Sequence, residues 1–166
     1  GKLHGYNTDA KGFIEPLLET YGDLKNAKVL ILGTGGASKA CVYALEKEGA
    51  EVTVFTRKEI QEIESRKSKI ENFDILVNAT PLGMKGKAEG ETPVNSEQMK
   101  DVKLVYDLVY IPQETELIKQ AKSVGIKTLG GLEMLLNQAI EQQRIWTGLN
   151  APIVEIRDVV LQKLSS

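Results

Sequence analysis

The sequence contains very little cysteine and histidine. Cys41 and His4 are the single residues of their types among 166 residues. One cysteine excludes a disulfide framework and a cysteine-rich metal site, and one histidine excludes any site that needs two. We therefore predict that the protein has no metal site, and we expect it to belong to a reduced, cytoplasmic compartment.

Long apolar runs and an excess of charge of one sign are also lacking. No stretch approaches the ~18 apolar residues of a membrane helix, and the first residues lack the apolar core of a signal peptide. The 21 Lys and Arg residues balance 23 Asp and Glu residues. This balance predicts neither nucleic acid nor membrane as a partner. The chain begins with Gly1 rather than Met, so we expect it to be a piece of a longer protein.

Short apolar segments alternate with segments of helical spacing. The strand-like segments are 28–32, 51–55, 73–77, 103–106 and 126–129. Apolar residues recur with helical spacing over 10–21, 38–48, 114–124, 132–145 and 152–164. This alternation predicts an α/β fold: a Rossmann-type doubly wound parallel sheet with helices on both faces. We expect the strand order 3-2-1-4-5.

A glycine-rich turn follows the first predicted strand. Gly33-Thr34-Gly35-Gly36-Ala37 leads from this strand into a helix, and Ser38 stands where a third glycine is usual. Such a turn lets the backbone approach a dinucleotide pyrophosphate, and the helix N-terminus offers N–H groups to it. The alternative is a strand-to-helix turn that binds nothing.

The tip of the second predicted strand carries cations. Thr56-Arg57-Lys58 occupies the place where an NAD site usually has an acidic residue, and Glu59 comes only after both cations. Two cations suit a 2′-phosphate, which Arg57 can bind in a bidentate manner. This pattern favours NADP as the cofactor. The alternative is an ordinary solvated basic turn.

Five motifs resemble, in order, those of the C-terminal cofactor-binding part of the shikimate dehydrogenase family. They are Gly1-x-Leu3-x-Gly5-x-Asn7-Thr8-Asp9-x-x-Gly12, Gly33-x-Gly35-Gly36-Ala37, Asn78-Ala79-Thr80-x-x-Gly83-Met84, Asp107-x-x-Tyr110-x-Pro112-x-x-Thr115-x-Leu117 and Gly131-x-x-Met134-Leu135-x-x-Gln138-Ala139. The resemblance implies an NADP-dependent enzyme that reversibly reduces 3-dehydroshikimate to shikimate in aromatic amino-acid (chorismate) biosynthesis. The alternatives are a quinate/shikimate dehydrogenase paralogue and a non-catalytic dinucleotide-binding module.

The resemblance also implies roles for individual residues. Asp9 would be catalytic, as the partner of a lysine at the reacting hydroxyl. The residues that would bind the substrate are Asn7, Asp9, Tyr110 and Gln138. Those that would bind NADP are Gly33, Thr34, Gly35, Gly36, Ala37, Thr56, Arg57, Lys58, Thr80, Leu108, Gly131 and Met134. For Asp9 the alternative is a helix N-cap, because Thr8-Asp9 precedes a predicted helix.

The resemblance further divides the chain. Residues 1–22 would form an inter-domain hinge and linking helix, 23–150 the NADP-binding domain, and 151–166 a C-terminal helix. The family's lysine lies in an N-terminal substrate domain that this chain does not contain, so we expect the chain alone to be inactive. Thr56 and Gln61 stand where the family often has asparagine and a second arginine, which predicts a weaker preference for NADP.

Overall fold

Short runs rich in Val, Ile and Leu form the strands of a single sheet. The computed structural model describes residue 2 and residues 4–66, 70–149 and 151–164. The strands are β1 (Lys28–Leu32), β2 (Glu51–Phe55), β3 (Ile75–Asn78), β4 (Leu104–Asp107) and β5 (Lys127–Gly130). The helices are α1 (Asp9–Tyr21), α2 (Gly36–Lys47), α3 (Arg57–Arg66), α4 (Glu116–Ser123), α5 (Gly131–Thr147) and α6 (Ile153–Leu164).

All five strands are parallel, in the order β2-β1-β3-β4-β5. The parallel α/β sheet is confirmed, but the predicted order 3-2-1-4-5 is wrong, because β3 pairs with β1 and not with β2. Burial explains the difference. Every residue of β3 is buried, as an interior strand requires, whereas β2 has exposed residues and lies at the edge.

Helices cover both faces of the sheet, as predicted. Alternate residues of β1 point to opposite faces, so Val29 and Ile31 pack on one side and Leu30 and Leu32 on the other. The first side holds α1, α2 and α5, and the second holds α3 and α4. Among the helices that the structure describes, none is long and apolar enough to cross a membrane.

Helix α3 was not predicted. Its sequence is strongly polar, and only Ile60 and Ile63 of its described side chains are buried. Two apolar side chains one turn apart give too weak a period to identify a helix from the sequence. The predicted turn 56–58 is therefore the N-cap and first turn of a helix.

Helix α1 crosses α5 at Gly12. A Cβ atom there would lie 2.8 Å from both the Gln138 nitrogen and the Met134 carbonyl oxygen, so only glycine permits this approach. Next to the crossing, the Lys11 Nζ atom lies 2.9 Å from the buried carboxylate of Glu141. Hydrogen bonds from Arg144 and then from Lys11 lower the pKa of Glu141 to about 2. These contacts fix α1, which begins at Asp9, against α5.

Replacing Gly12 by alanine should separate the two helices. We expect Gly12→Ala to lower the free energy of unfolding by about 1–3 kcal/mol, because the backbone of α5 leaves no room for a methyl group. Urea unfolding followed by circular dichroism measures the change. Gly36→Ala is the matched control, since Gly36 is also helical but a Cβ there meets no atom within 4 Å. Equal stabilities of the two variants would contradict the crossing.

Candidate functional site

The carboxyl ends of all five strands meet along one edge of the sheet. Leu32 pairs with Phe55 on one side and with Asn78 on the other. Asn78 pairs in turn with Asp107, and Asp107 with Gly130. The predicted cofactor residues all follow these strand ends, although they are far apart in sequence. Doubly wound sheets bind ligands at this edge.

A topological switch point lies between β1 and β3. The chain leaves β1 for β2 on one side and returns to β3 on the other, which opens a crevice above β1. Gly33 stands at this point with φ +108°, and a Cβ there would lie 2.9 Å from the carbonyl oxygen of Ala79. Its N–H donates to the Phe55 carbonyl over 2.9 Å. The first glycine of the turn is therefore required by both its conformation and its close packing.

The rest of the glycine turn is open. A Cβ on Gly35 or Gly36 would meet nothing within 4 Å. Gly35 is the N-cap of α2, and no side chain caps this end of the helix. The first-turn N–H groups and the helix dipole thus favour an anion at the crevice. The geometry suits a phosphate group at Gly33–Ala37.

At the tip of β2, Thr56 caps α3. The Thr56 N–H and hydroxyl both donate to the Glu59 carboxylate over 2.7 Å, and the Glu59 N–H donates to the Thr56 hydroxyl over 3.5 Å. Arg57 and Lys58 follow in the first turn and are exposed. Since β2 pairs with β1, these cations lie next to the glycine turn.

Two buried polar residues that the sequence analysis did not include among the site residues organise the centre of the edge. The Asn78 Nδ2 atom donates to Asp107 over 2.9 Å, and the Thr80 N–H and hydroxyl donate to Asn78 over 3.1 and 2.7 Å. Asp107 also accepts from the Val109 N–H over 3.1 Å and from the Thr115 hydroxyl over 2.6 Å. Both residues belong to motifs that carry the family resemblance, and each is a polar residue directly after an apolar run, which is the signal that could have identified them.

Burial raises the pKa of the Asp107 carboxyl, while the hydrogen bonds from Thr115, Val109 and Asn78 oppose this shift. The carboxylate is completely buried. Its acceptor atoms hold the loop after β3, the loop after β4 and the N-cap of α4 together. The predicted residues Thr80 and Leu108 lie on the first two of these loops.

Gly131 brings the start of α5 against the loop after β4. A Cβ on Gly131 would overlap the Leu108 carbonyl oxygen, and the Gly131 N–H donates to the Val109 carbonyl over 3.2 Å. The structure thus places the predicted pair Leu108 and Gly131 in direct contact. Met134 follows one turn later and is mostly buried in the core against the sheet.

Asp9 is the first residue of α1 and is half-buried. The N-cap alternative for it is wrong: Thr8 is the N-cap, and the Asn7 side-chain oxygen accepts from the Asp9 and Ala10 N–H groups over 2.9 and 3.4 Å. Burial, and after it the charge of Asp9, raises the pKa of the Cys41 thiol to about 12. Asp9 is therefore close enough to Cys41, on α2, for its charge to affect the pKa of that thiol.

The remaining predicted substrate residues lie on separate elements. Tyr110 is 42% exposed on the loop after β4, and Gln138 lies at the crossing of α5 with α1. Within the described structure no hydrogen bond joins Asp9, Tyr110 and Gln138. In the same described ranges no group of three or more His, Cys, Asp or Glu residues could hold a metal ion.

Removing the Asp107 carboxylate should destabilise the whole edge. Asp107→Ala takes the shared acceptor from Asn78, Val109 and Thr115, so we expect unfolding free energy to fall by about 3–5 kcal/mol. Thr115→Val removes one of these donors and the α4 cap, and should lower it by only about 1–2 kcal/mol. Urea unfolding measures both, and a loss no greater for Asp107→Ala than for Thr115→Val would contradict this role.

The parallel sheet, the switch point and the glycine turn define a Rossmann-type α/β domain. Residues 131–161 match the family model described as Shikimate 5'-dehydrogenase C-terminal domain. Shikimate dehydrogenase (NADP(+)) of Methanosarcina acetivorans is 34% identical over 100% of this chain, which spans 66% of that relative. The chain belongs to the shikimate dehydrogenase family and corresponds to its C-terminal part, which confirms the resemblance seen in the sequence.

Solved structures agree with this assignment. A crystal structure of shikimate dehydrogenase in complex with NADP+ is 32% identical, with a TM-score of 0.86 over 98% of this chain and 63% of that one. Quinate dehydrogenase from Corynebacterium glutamicum, in complex with NAD, is 31% identical, with a TM-score of 0.79 over 95% of this chain and 63% of that one. The chain thus spans less than two thirds of the length of these relatives.

Proposed function

We propose that this chain is the NADP-binding part of a shikimate dehydrogenase, an enzyme of the cytoplasm that reversibly reduces 3-dehydroshikimate to shikimate. The observation that carries the proposal is the placement of an uncapped glycine turn beside an exposed Arg57-Lys58 pair on adjacent parallel strands. The spacing suits the pyrophosphate and the 2′-phosphate of one dinucleotide. The similarity to a shikimate dehydrogenase that carries NADP+ supports the same cofactor.

The first of two groups of proposed cofactor-binding residues would hold the phosphates of the dinucleotide. Gly33, Thr34, Gly35, Gly36 and Ala37 would hold the pyrophosphate through backbone N–H groups at the start of α2. At the tip of β2, Arg57 and Lys58 would bind the 2′-phosphate, with Thr56 beside them. This half of the site sets the affinity for the cofactor.

The second group would place the nicotinamide. Thr80, Leu108, Gly131 and Met134 lie on the loops and helix that follow β3, β4 and β5. The nicotinamide, when bound, supplies the hydride chemistry, and the protein supplies its position. The buried network at Asp107 and the close contact at Gly131 would keep these walls rigid.

Asp9 would manage the proton of the reacting hydroxyl. Its carboxylate can orient a lysine ammonium from the N-terminal substrate domain and adjust the pKa of that lysine. Asn7, Tyr110 and Gln138 would hydrogen-bond the hydroxyl and carboxylate groups of shikimate. In this proposal residues 1–22 link the two domains, 23–150 bind NADP, and 151–166 form the C-terminal helix.

Reversing the charge of Arg57 tests the cofactor assignment. We expect Arg57→Glu to weaken NADP binding by the isolated chain about 100-fold, because a charge-assisted contact becomes a repulsion. NAD lacks the 2′-phosphate, so its affinity should change less than about threefold. Calorimetric titration measures both dissociation constants. Lys25→Glu makes the same change of sign at an exposed site before β1, where the amino ends of the strands lie. It should alter neither dissociation constant. Equal losses of affinity for NADP and NAD would rule out a contact between Arg57 and the 2′-phosphate.

Replacing Asp9 tests the catalytic assignment in the complete gene product that contains this chain. Asp9→Asn should lower kcat for shikimate oxidation by about 100-fold, since the proton-handling carboxylate is lost. The KM for NADP should stay within about twofold, because Asp9 lies outside the predicted cofactor residues. Glu15→Gln is the control, as it neutralises an exposed carboxylate on the same helix. An unchanged kcat for Asp9→Asn would contradict the role, and faster turnover of quinate than of shikimate would favour the paralogue.

A further inference from the structure

One exposed carboxylate lies at the carboxyl edge of the sheet, beside the two cations that would bind a 2′-phosphate. Glu59 lies in the first turn of α3, directly after the two cations Arg57 and Lys58. It is exposed, so it does not take part in the core. In dinucleotide sites an acid near the tip of β2 is a feature of NAD binding, whereas cations there suit NADP. This chain offers both.

Hydrogen bonds hold the Glu59 carboxylate over the end of the helix. The same oxygen, Oε2, accepts from the Thr56 N–H and the Thr56 hydroxyl, each over 2.7 Å. These two donors lower the pKa of Glu59, so the carboxylate is ionised at neutral pH. Glu59 therefore occupies, with a negative charge, two donors that a 2′-phosphate would otherwise use.

The location of this carboxylate follows from the sheet. Gly33 donates its N–H to the carbonyl of Phe55, the residue directly before Thr56, over 2.9 Å. The glycine turn and the residue that precedes the cap of α3 are thus joined by a backbone hydrogen bond. A dinucleotide whose pyrophosphate lies at Gly33–Ala37 brings the 2′ position of its adenosine ribose to the tip of β2.

We infer that Glu59 is a specificity-determining residue, which reduces the preference for NADP over NAD by competing with the 2′-phosphate for Thr56 and repelling its charge. This inference rests on the proposed function and deepens it. Arg57 and Lys58 attract the 2′-phosphate, and Glu59 offsets part of that attraction. NAD has no 2′-phosphate, so the carboxylate does not oppose it.

The test compares dissociation constants for NADP and NAD in the isolated chain by calorimetric titration. Glu59→Gln removes the charge but keeps the cap, because glutamine also accepts the hydrogen bonds of a capping box. We expect it to tighten NADP binding by about threefold to tenfold and to change NAD binding less than twofold. We define the NADP/NAD ratio as the Kd for NAD divided by the Kd for NADP, so that a rise means a stronger preference for NADP. If Glu59 only capped the helix, Glu59→Gln would have the same ratio as the wild type.

Two further variants make the result decisive. Glu59→Ala removes both the charge and the cap, and it should raise the preference for NADP as Glu59→Gln does while also lowering Tm. Glu62→Gln neutralises another carboxylate of α3, one turn further from its N-terminus, and should leave the ratio unchanged.

The outcomes separate this inference from the proposed function. If the wild-type chain binds neither dinucleotide, the proposed function fails and the inference fails with it. If the wild-type chain binds NADP and neither Glu59 variant changes the NADP/NAD ratio, the inference alone is overturned. An equal rise in the ratio for Glu62→Gln would also overturn it, because the effect would then come from general charge.

Discussion

The hydrogen bond between Asn78 and Asp107, 2.9 Å long and completely buried, connects the ends of the two interior strands on which the candidate site depends. A buried carboxylate is unfavourable unless donors surround it. Asp107 has three, and each lies on a different segment: the end of β3, the loop after β4 and the cap of α4. One buried carboxyl group therefore holds together the end of β3, the loop after β4 and the start of α4.

Close backbone contacts complete the edge that this network organises. Gly33 meets Ala79 at the switch point, Gly131 meets Leu108 beside β4, and Gly12 meets α5 at the helix crossing. At each of these positions a single methyl group would overlap backbone atoms that cannot move alone. The glycine turn, the start of α5 and the helix that carries Asp9 are thus held at fixed separations from the sheet and from one another.

The charged residues at the tip of β2 are less constrained by packing than these glycines. Thr56, Arg57, Lys58 and Glu59 are all exposed, so their identities are not required by the core. In the proposed function they lie beside the adenosine ribose of the dinucleotide, and their charges would determine which dinucleotide is favoured. In that proposal the backbone of the glycine turn would supply affinity for the pyrophosphate, and the side chains at the tip of β2 would supply selectivity at the ribose.

The sequence by itself determined the strands, five of the six helices that the structure describes, the glycine turn and the family, because these follow from local periodicity and motif spacing. It did not reveal α3, in which two isoleucines are the buried members among the described side chains, or the strand order, which depends on which edges of a strand can be exposed. It also left open whether Asp9 caps α1. The structure showed that Asn7 and Thr8 form that end and that Thr56 donates to Glu59, and both contacts are local, between residues two or three apart in the sequence. Only the tertiary structure decided that Asp107 joins three segments, because Asn78, Asp107 and Thr115 come from segments that meet only after the chain has folded.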